Sequence, residues 1–423
     1  MLIKLQNSCI IYVKVGGNMI EREAKETINE IAEAFKVLLV TGPRQVGKTT
    51  LLKSIMPENM SYVTLDDKVT RELAQKDPKL FLEEHPYPLL IDEVQYAPDL
   101  FSYIKIKVDE IKEPSMYWLT GSQQFKLMKN VQESLAGRVG IVKLNSLTYN
   151  EINNKNSVNV MFDPKNFVDT SIIDVNTLYE NIFKGGMPEL YVNEKMKRYY
   201  FFNSYIETYL TKDVENIINI TNTETFKNFM ITIASRNGEQ LNYSKIGSEV
   251  GITDKTVKAW LNILVTSGIV YLLTPYNLSR EKRVNHMPKI VWMDTGLCAF
   301  LAGYEDARTL QMSVSAGHYL ETYVISEIIK SYNAHGMESN ISYFRDKDKH
   351  EIDLVFFNAT EIYPFEIKKT ASPTREMLSS FKYLNDTKKK VMPGGIICLC
   401  DKLMRIEENN YCIPISSVIN IKK

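Results

Sequence analysis

The chain has little cysteine: only Cys9, Cys298, Cys398, Cys400 and Cys412 in 423 residues. Their spacing fits neither a zinc site nor a disulfide framework, so a small secreted scaffold is excluded and a reducing cytoplasm is expected. Charge of one sign is also missing, because 51 Lys+Arg balance 51 Asp+Glu. Any nucleic-acid contact must therefore come from a local patch. No apolar run approaches the ~20 residues of a membrane span, so no membrane partner is expected. The first residues lack the apolar core and small-residue cleavage site of a signal peptide. Residues 1–18 read as an N-terminal extension, and helical character begins near Met19. With 44% hydrophobic and 24% charged residues, the composition is that of an ordinary globular protein. Its length calls for two to four domains.

What the chain does have is a phosphate-binding loop, Gly42-Pro43-Arg44-Gln45-Val46-Gly47-Lys48-Thr49-Thr50. It follows the apolar run Val37-Leu38-Leu39-Val40 and opens into Leu51-Leu52, the strand–loop–helix setting that the motif requires. Gly42 and Gly47 let backbone N–H groups turn inward toward phosphate oxygens, helped by the positive end of the helix dipole. Lys48 is expected to reach the β- and γ-phosphates, and the Thr49 hydroxyl to ligate Mg²⁺. About 45 residues on, Pro88-Leu89-Leu90-Ile91-Asp92-Glu93 is an apolar strand ending in two acids, the Walker B pattern. Asp92 is expected to hold the Mg²⁺ water shell, and Glu93 to orient or deprotonate the attacking water. ATP and Mg²⁺ are thus the expected cofactors.

Two further strands are expected, Met116 to Thr120 and Gly140 to Leu144, after a strand at Tyr62 to Leu65. In an open parallel sheet, ligands sit beyond the carboxyl ends of the strands, which makes Thr120, Ser122 and Gln123 candidates for sensing the γ-phosphate. Ser122 can equally cap a helix. Arg138, in Leu135-Ala136-Gly137-Arg138, is a candidate γ-phosphate arginine, acting in cis or across a boundary between copies of the chain.

Asn153 to Asp174 reads as a loop or lid, and Lys184-Gly185-Gly186-Met187-Pro188 as a turn. The stripe Phe202, Tyr205, Ile206 and Tyr209 is read as core. Helices over Ser244–Val250 and Asp254–Ser267, separated by Gly251-Ile252-Thr253 and followed by a strand at Ile269–Leu273, outline a winged helix-turn-helix. Lys255, Thr256 and Lys258 lie early on its second helix, where DNA contacts are made. The same module also serves protein–protein contacts.

A second chemical site lies at residues 343–368. Asp353 belongs to one expected strand, Glu366 and Lys368 share a face of the next, and an upstream helix, Gly317 to Lys330, carries Glu321 and Glu327. An acid followed by acid-x-lysine on neighbouring strands is the PD-(D/E)xK nuclease arrangement. Asp353, Glu366 and Glu321 are the candidate metal ligands, and Lys368 would activate water or stabilise the phosphorane. A charged hairpin with an incidental Glu–Lys pair has the same spacing.

Over residues 19–423 the chain resembles the prokaryotic AAA-type ATPases that carry a C-terminal domain of unknown function. The resemblance is carried by Val40 to Thr50, Ile91 to Pro98, Leu119 to Gln124, Ser134 to Arg138, Thr208 to Val214, Met293 to Leu297, Tyr319 to Val324 and Phe365 to Lys369. It implies an α/β protein with a P-loop AAA-type parallel-sheet domain, a winged-helix middle and an α/β, restriction-endonuclease-like C-terminal domain. The corresponding segments are an ATPase domain at 19–148, a lid or linker at 149–200, a helical and winged-helix domain at 201–285, and a PD-(D/E)xK-like domain at 286–423. The function expected is Mg²⁺-dependent ATP hydrolysis coupled to action on nucleic acid, DNA foremost, with homo-oligomerisation if Arg138 acts in trans. An ATP-driven scaffold or signalling protein without cleavage is the alternative.

Overall fold

The computed structural model describes residues 20–111, 113–121, 131, 133–154, 172–209, 223–276 and 287–419. Residues 1–18, Ser122, Gln123 and most of the Asn153–Asp174 loop expected from sequence lie outside the described residues.

The apolar runs of the first third form five parallel strands. These are β1 (Val37–Thr41), β2 (Ser61–Thr64), β3 (Leu89–Asp92), β4 (Tyr117–Gly121) and β5 (Val139–Lys143), in the order β2-β3-β4-β1-β5. The central strands are continuous hydrophobic runs because both faces of the sheet are covered. Val37 and Leu39 face one apolar cluster with Ile91, Leu119 and Phe101. Leu38 and Val40 face another with Leu90, Trp118 and Leu52. All five strands run the same way. The loops at their carboxyl ends, the P-loop among them, therefore gather at one edge.

The middle of the chain is helical. Thr223–Ser235, Tyr243–Val250 and Asp254–Thr266 are three consecutive helices, followed by β6 (Val270–Leu273), which pairs antiparallel with β7 (Lys289–Trp292). Gly251 closes the second helix in the left-handed region, and Thr253 caps the third through the Thr256 amide. This is the turn that the sequence marks at Gly251-Ile252-Thr253. Phe202, Tyr205, Ile206 and Tyr209 are buried, as read from their spacing.

The C-terminal part is a long helix, Ala316–Ala334, against a seven-stranded sheet. The strands β8 (Ile341–Arg345), β9 (Glu351–Phe357) and β10 (Glu361–Ile367) form an antiparallel meander. Beyond it lie the short β11 (Lys390–Val391), β12 (Gly394–Cys398), β13 (Met404–Glu407) and β14 (Asn410–Pro414). β12 adds to β10 in parallel, and β14 to β12 in parallel.

The expected divisions at 200/201 and 285/286 are not divisions in packing. One apolar core runs from Tyr149 through Phe202, Trp260, Trp292 and Leu320 to Ile413. The helix Val175–Lys184, placed by sequence in a linker, buries Leu178, Tyr179 and Ile182 in that core. Its polar neighbours hid an amphipathic face that only tertiary packing explains.

Candidate functional site

The P-loop lies between β1 and the helix Lys48–Ile55. Gly42 has φ 148 and Gly47 φ 90. A Cβ on Gly42 would sit 1.9 Å from the Leu144 carbonyl oxygen, so the loop passes β5 where no side chain fits. Gln45 is also left-handed, with φ 59, at the exposed tip of the loop. Lys48 is 7% exposed and donates to the carbonyls of Pro43 (2.7 Å) and Gly42 (3.0 Å). Its ammonium is thereby held inside the curl that Pro43, Val46 and Gly47 form. Thr50 points outward, and Arg44 lies against Tyr96, beside Glu93.

Asp92 ends β3 on the same edge. The Thr49 hydroxyl donates to Asp92 Oδ1 at 3.0 Å, and the Tyr62 hydroxyl donates to Oδ2 at 3.2 Å. Burial, then the neighbouring Glu93 charge, raises the Asp92 pKa; burial and the Asp92 carboxylate push Tyr62 up to about 12. A hydroxyl and a carboxylate converging beside a buried ammonium form a hard-oxygen donor set that fits Mg²⁺. Glu93 holds φ 54, a conformation costly for a side chain of this kind, and Gln95 Nε2 donates to its carboxylate. Thr120, buried at the end of β4, has a hydroxyl with no hydrogen-bond partner among the described residues.

Arg138 is elsewhere. It precedes β5, at the amino edge of the sheet, where its carbonyl accepts from the Val37 amide. A five-residue strand separates it from the P-loop edge, roughly 15 Å at strand rise. Its guanidinium forms two bonds with Asp109, at 2.5 and 2.9 Å. The cis role is therefore corrected: within one chain Arg138 lies at the wrong end of the sheet to meet a γ-phosphate.

Sequence reasoning missed the support beneath the P-loop. Arg22, 8% exposed, donates to the Val46 carbonyl (2.6 Å), the Asn145 carbonyl (2.7 Å) and Glu151 (2.8 Å). Glu151 closes a capping box with Thr148, and the Tyr149 amide donates to Glu327 of the long helix at 2.7 Å. The Thr-x-x-Glu spacing is legible as a cap; its second duty to Arg22 is not.

Beside them, burial and then the Glu151 charge raise the Glu23 pKa to about 8. Folded Glu23 thus keeps a proton that the unfolded chain releases near its ordinary value. Stability from this group is lost as pH rises from about 4.5 toward 8. Glu23→Gln should raise stability at pH 8 by about 1–3 kcal/mol and leave it nearly unchanged at pH 5. Urea midpoints across that range check it, and parallel profiles for the two proteins would contradict it.

The C-terminal candidates do meet. In the β9–β10 register, Phe365 pairs with Leu354, which brings the next residue, Glu366, opposite Asp353. Both carboxylates are buried, at 3% and 8% exposure. Asp353 Oδ2 accepts from the Ile367 amide at 2.9 Å, and Lys368 Nζ lies 2.7 Å from both Asp353 and Glu366. Burial, then the Asp353 charge, pushes the Glu366 pKa up to about 9. The Lys368 ammonium, followed by that of Lys289, pulls Asp353 below its usual range despite burial. These paired oxygens fit a hard divalent cation.

Glu321 is different. The long helix brings it to the cluster, but its carboxylate accepts from Lys289, at 2.7 Å. Lys289 has no signature in the sequence, because it stands alone at the start of a short strand. His350 is held between Asp346 (2.7 Å) and the Tyr383 hydroxyl (2.9 Å), in a separate turn. On the middle helix, Lys255 and Lys258 are exposed, whereas the Thr256 hydroxyl pairs with Thr253 at 2.9 Å.

Comparison with known proteins agrees with the first third. Residues 34–153 match the family described as AAA domain. This part of the chain is similar to AAA domains and carries its P-loop on a parallel α/β sheet. Residues 175–308 and 316–418 match two domains of unknown function, DUF8612 and DUF4143. Uncharacterized proteins of Mycobacterium tuberculosis and Mycobacterium bovis are each 27% identical over 357 residues, covering 84% of this chain and 75% of theirs. Among solved structures, a Walker-type ATPase of Pyrococcus abyssi aligns with a TM-score of 0.43 and 13% identity, over 67% of this chain and 96% of that one. A RuvB protein of Thermotoga maritima aligns at 0.31 with 17% identity, over 59% and 88%. No helix among the described residues is long and apolar enough to cross a membrane.

Proposed function

We propose that the chain is a Mg²⁺-dependent ATPase that couples ATP binding and hydrolysis to action on nucleic acid. The observation that carries the ATPase reading is the convergence of Lys48, Thr49 and Asp92 at one strand edge, with Thr49 Oγ1 3.0 Å from Asp92. The N–H groups of the loop from Gly42 through Thr50 cradle the phosphates, and Lys48 leaves its carbonyl partners to neutralise the β- and γ-phosphates. Thr49 and Asp92 would hold Mg²⁺, which supplies charge neutralisation on the transferring phosphoryl. Glu93 orients the water and takes its proton. Thr120, whose buried hydroxyl has no partner among the described residues, is proposed to sense the γ-phosphate, and Ser122 is proposed for the same role from sequence. Arg138, placed away from its own P-loop, is proposed to act on a neighbouring copy.

The C-terminal part is proposed as a metal-dependent, nuclease-like site. Support comes from Asp353 and Glu366 meeting across an antiparallel pair with Lys368 between them, on a sheet continued in parallel by β12. Asp353 and Glu366 would hold the ion, whose Lewis acidity would polarise the phosphate. Lys368 would hold the attacking water or the developing negative charge. The three helices and the β6–β7 pair have the outline of a winged helix, with Lys255 and Lys258 available to DNA phosphates. Calorimetry of the full chain is expected to show Mg²⁺ or Mn²⁺ binding, without nucleotide, that Asp353→Asn removes. A full chain with no such binding at millimolar metal would favour the scaffold reading instead, in which this part holds a partner or DNA without cutting.

A further inference from the structure

The carboxylates of the C-terminal site form two pairs, and each pair is closed by one ammonium group. Lys368 joins Asp353 and Glu366, at 2.7 Å to each. Lys289 joins Glu321 (2.7 Å) and Glu351 (2.6 Å), and Arg345 adds a second cation to Glu351 at 2.8 Å. Asp353 lies between the two and is drawn by both ammonium charges.

The two lysines are not equivalent. The Lys368 side chain is 36% exposed, on the rim, and it can swing into water and surrender its oxygens to another cation. The Lys289 side chain is 4% exposed. Its backbone is locked between β6 and a bridge to Gln240, so it has no solvated position to go to. A buried ammonium stays where its carboxylates are, because leaving them strands charge in a low-dielectric interior.

We propose that Lys289 is a resident cation filling one of the two cation positions of this cluster. Glu321 and Glu351 are thereby withheld from metal, and the site takes one divalent ion, at Asp353 and Glu366. The inference rests on the metal reading of Asp353 and Glu366 given above. It also gives β7 a function: this strand ties the helical middle of the chain to the carboxylate site through one charged group.

The test is Mn²⁺ calorimetry on the full chain, comparing wild type, Glu321→Gln and Lys289→Met. Glu321→Gln leaves Lys289 paired with Glu351 and should bind Mn²⁺ within about two-fold of wild type, at one ion per chain. Lys289→Met frees Glu321 and one oxygen of Glu351, whose other oxygen stays with Arg345, and removes a nearby positive charge. It should gain a second ion or bind the first at least ten-fold more tightly. Circular dichroism and retained ATP binding show whether Lys289→Met is folded, and Glu321→Gln decides the matter where it is not. A loss of ten-fold or more in Glu321→Gln would make Glu321 a ligand and overturn the proposal. So would a folded Lys289→Met that binds Mn²⁺ as wild type does, since Lys289 is then only a structural clamp. Wild type that binds no Mn²⁺ sinks the metal reading. The resident-cation proposal is then decided by Lys289→Met alone, supported by a gained ion and overturned by none.

Discussion

Lys48→Ala is expected to abolish nucleotide binding, whereas Glu93→Gln keeps binding and slows turnover by roughly 10²–10³. The split follows from where the two side chains stand. Lys48 is buried inside the loop, 2.7 Å from the Pro43 carbonyl. Removing it leaves four phosphate charges without their main counter-charge in a partly desolvated site. Glu93 follows the strand that carries Asp92 and is fixed in a left-handed conformation with Gln95 against its carboxylate. In the proposed role it meets the attacking water and not the ground-state phosphates, so an amide there is expected to cost rate and spare affinity. Equilibrium binding of a fluorescent ATP analogue, together with phosphate release, checks both. Equal losses of binding in the two variants would mean that Glu93 has no separate catalytic role.

Arg138→Ala is expected to lower turnover by about 10³ or more if its guanidinium meets the γ-phosphate of a neighbouring copy. Asp109 holds that side chain on the side of the sheet away from its own P-loop, so the effect must be intermolecular. Specific activity should then rise with protein concentration. Mixing Arg138→Ala with Glu93→Gln chains should restore part of the activity, because one interface in the mixture joins an intact Arg138 to an intact Glu93. Activity independent of concentration, with no rescue in the mixture, would leave Arg138 as a structural ion pair with Asp109.

The convergence of Lys48, Thr49 and Asp92 was legible because the motifs that carry it are local. Gly42 to Thr50 is one short continuous segment, and Asp92 ends the apolar strand β3. The face shared by Glu366 and Lys368 was readable too, since alternation along a strand is a covalent fact. Their meeting with Asp353 depends on strand register, which the hairpin length made simple. What sequence could not show are contacts made across long separations. Arg22 and Glu151 are 129 positions apart. Lys289 reaches Glu351 from β7, a short strand paired with β6 of the helical middle, and no periodicity marks a single buried lysine. Sequence left Arg138 open between a cis and a trans role, because a motif gives its neighbours but not its end of the sheet. The helix Val175–Lys184 was lost in a linker because its polar residues outnumber the few that enter the core.

The ATP site and the carboxylate site are proposed to work together on nucleic acid. The measurement that tests this most directly is a cleavage assay on single- and double-stranded DNA and RNA, with Mg²⁺ or Mn²⁺, in the presence and absence of ATP. The full chain should cut at least one of these substrates in a metal-dependent and ATP-responsive way, and a Glu366→Gln/Lys368→Ala double variant that still hydrolyses ATP should not. Wild type and variant that bind nucleic acid equally and leave all four substrates intact, with and without ATP, would contradict it.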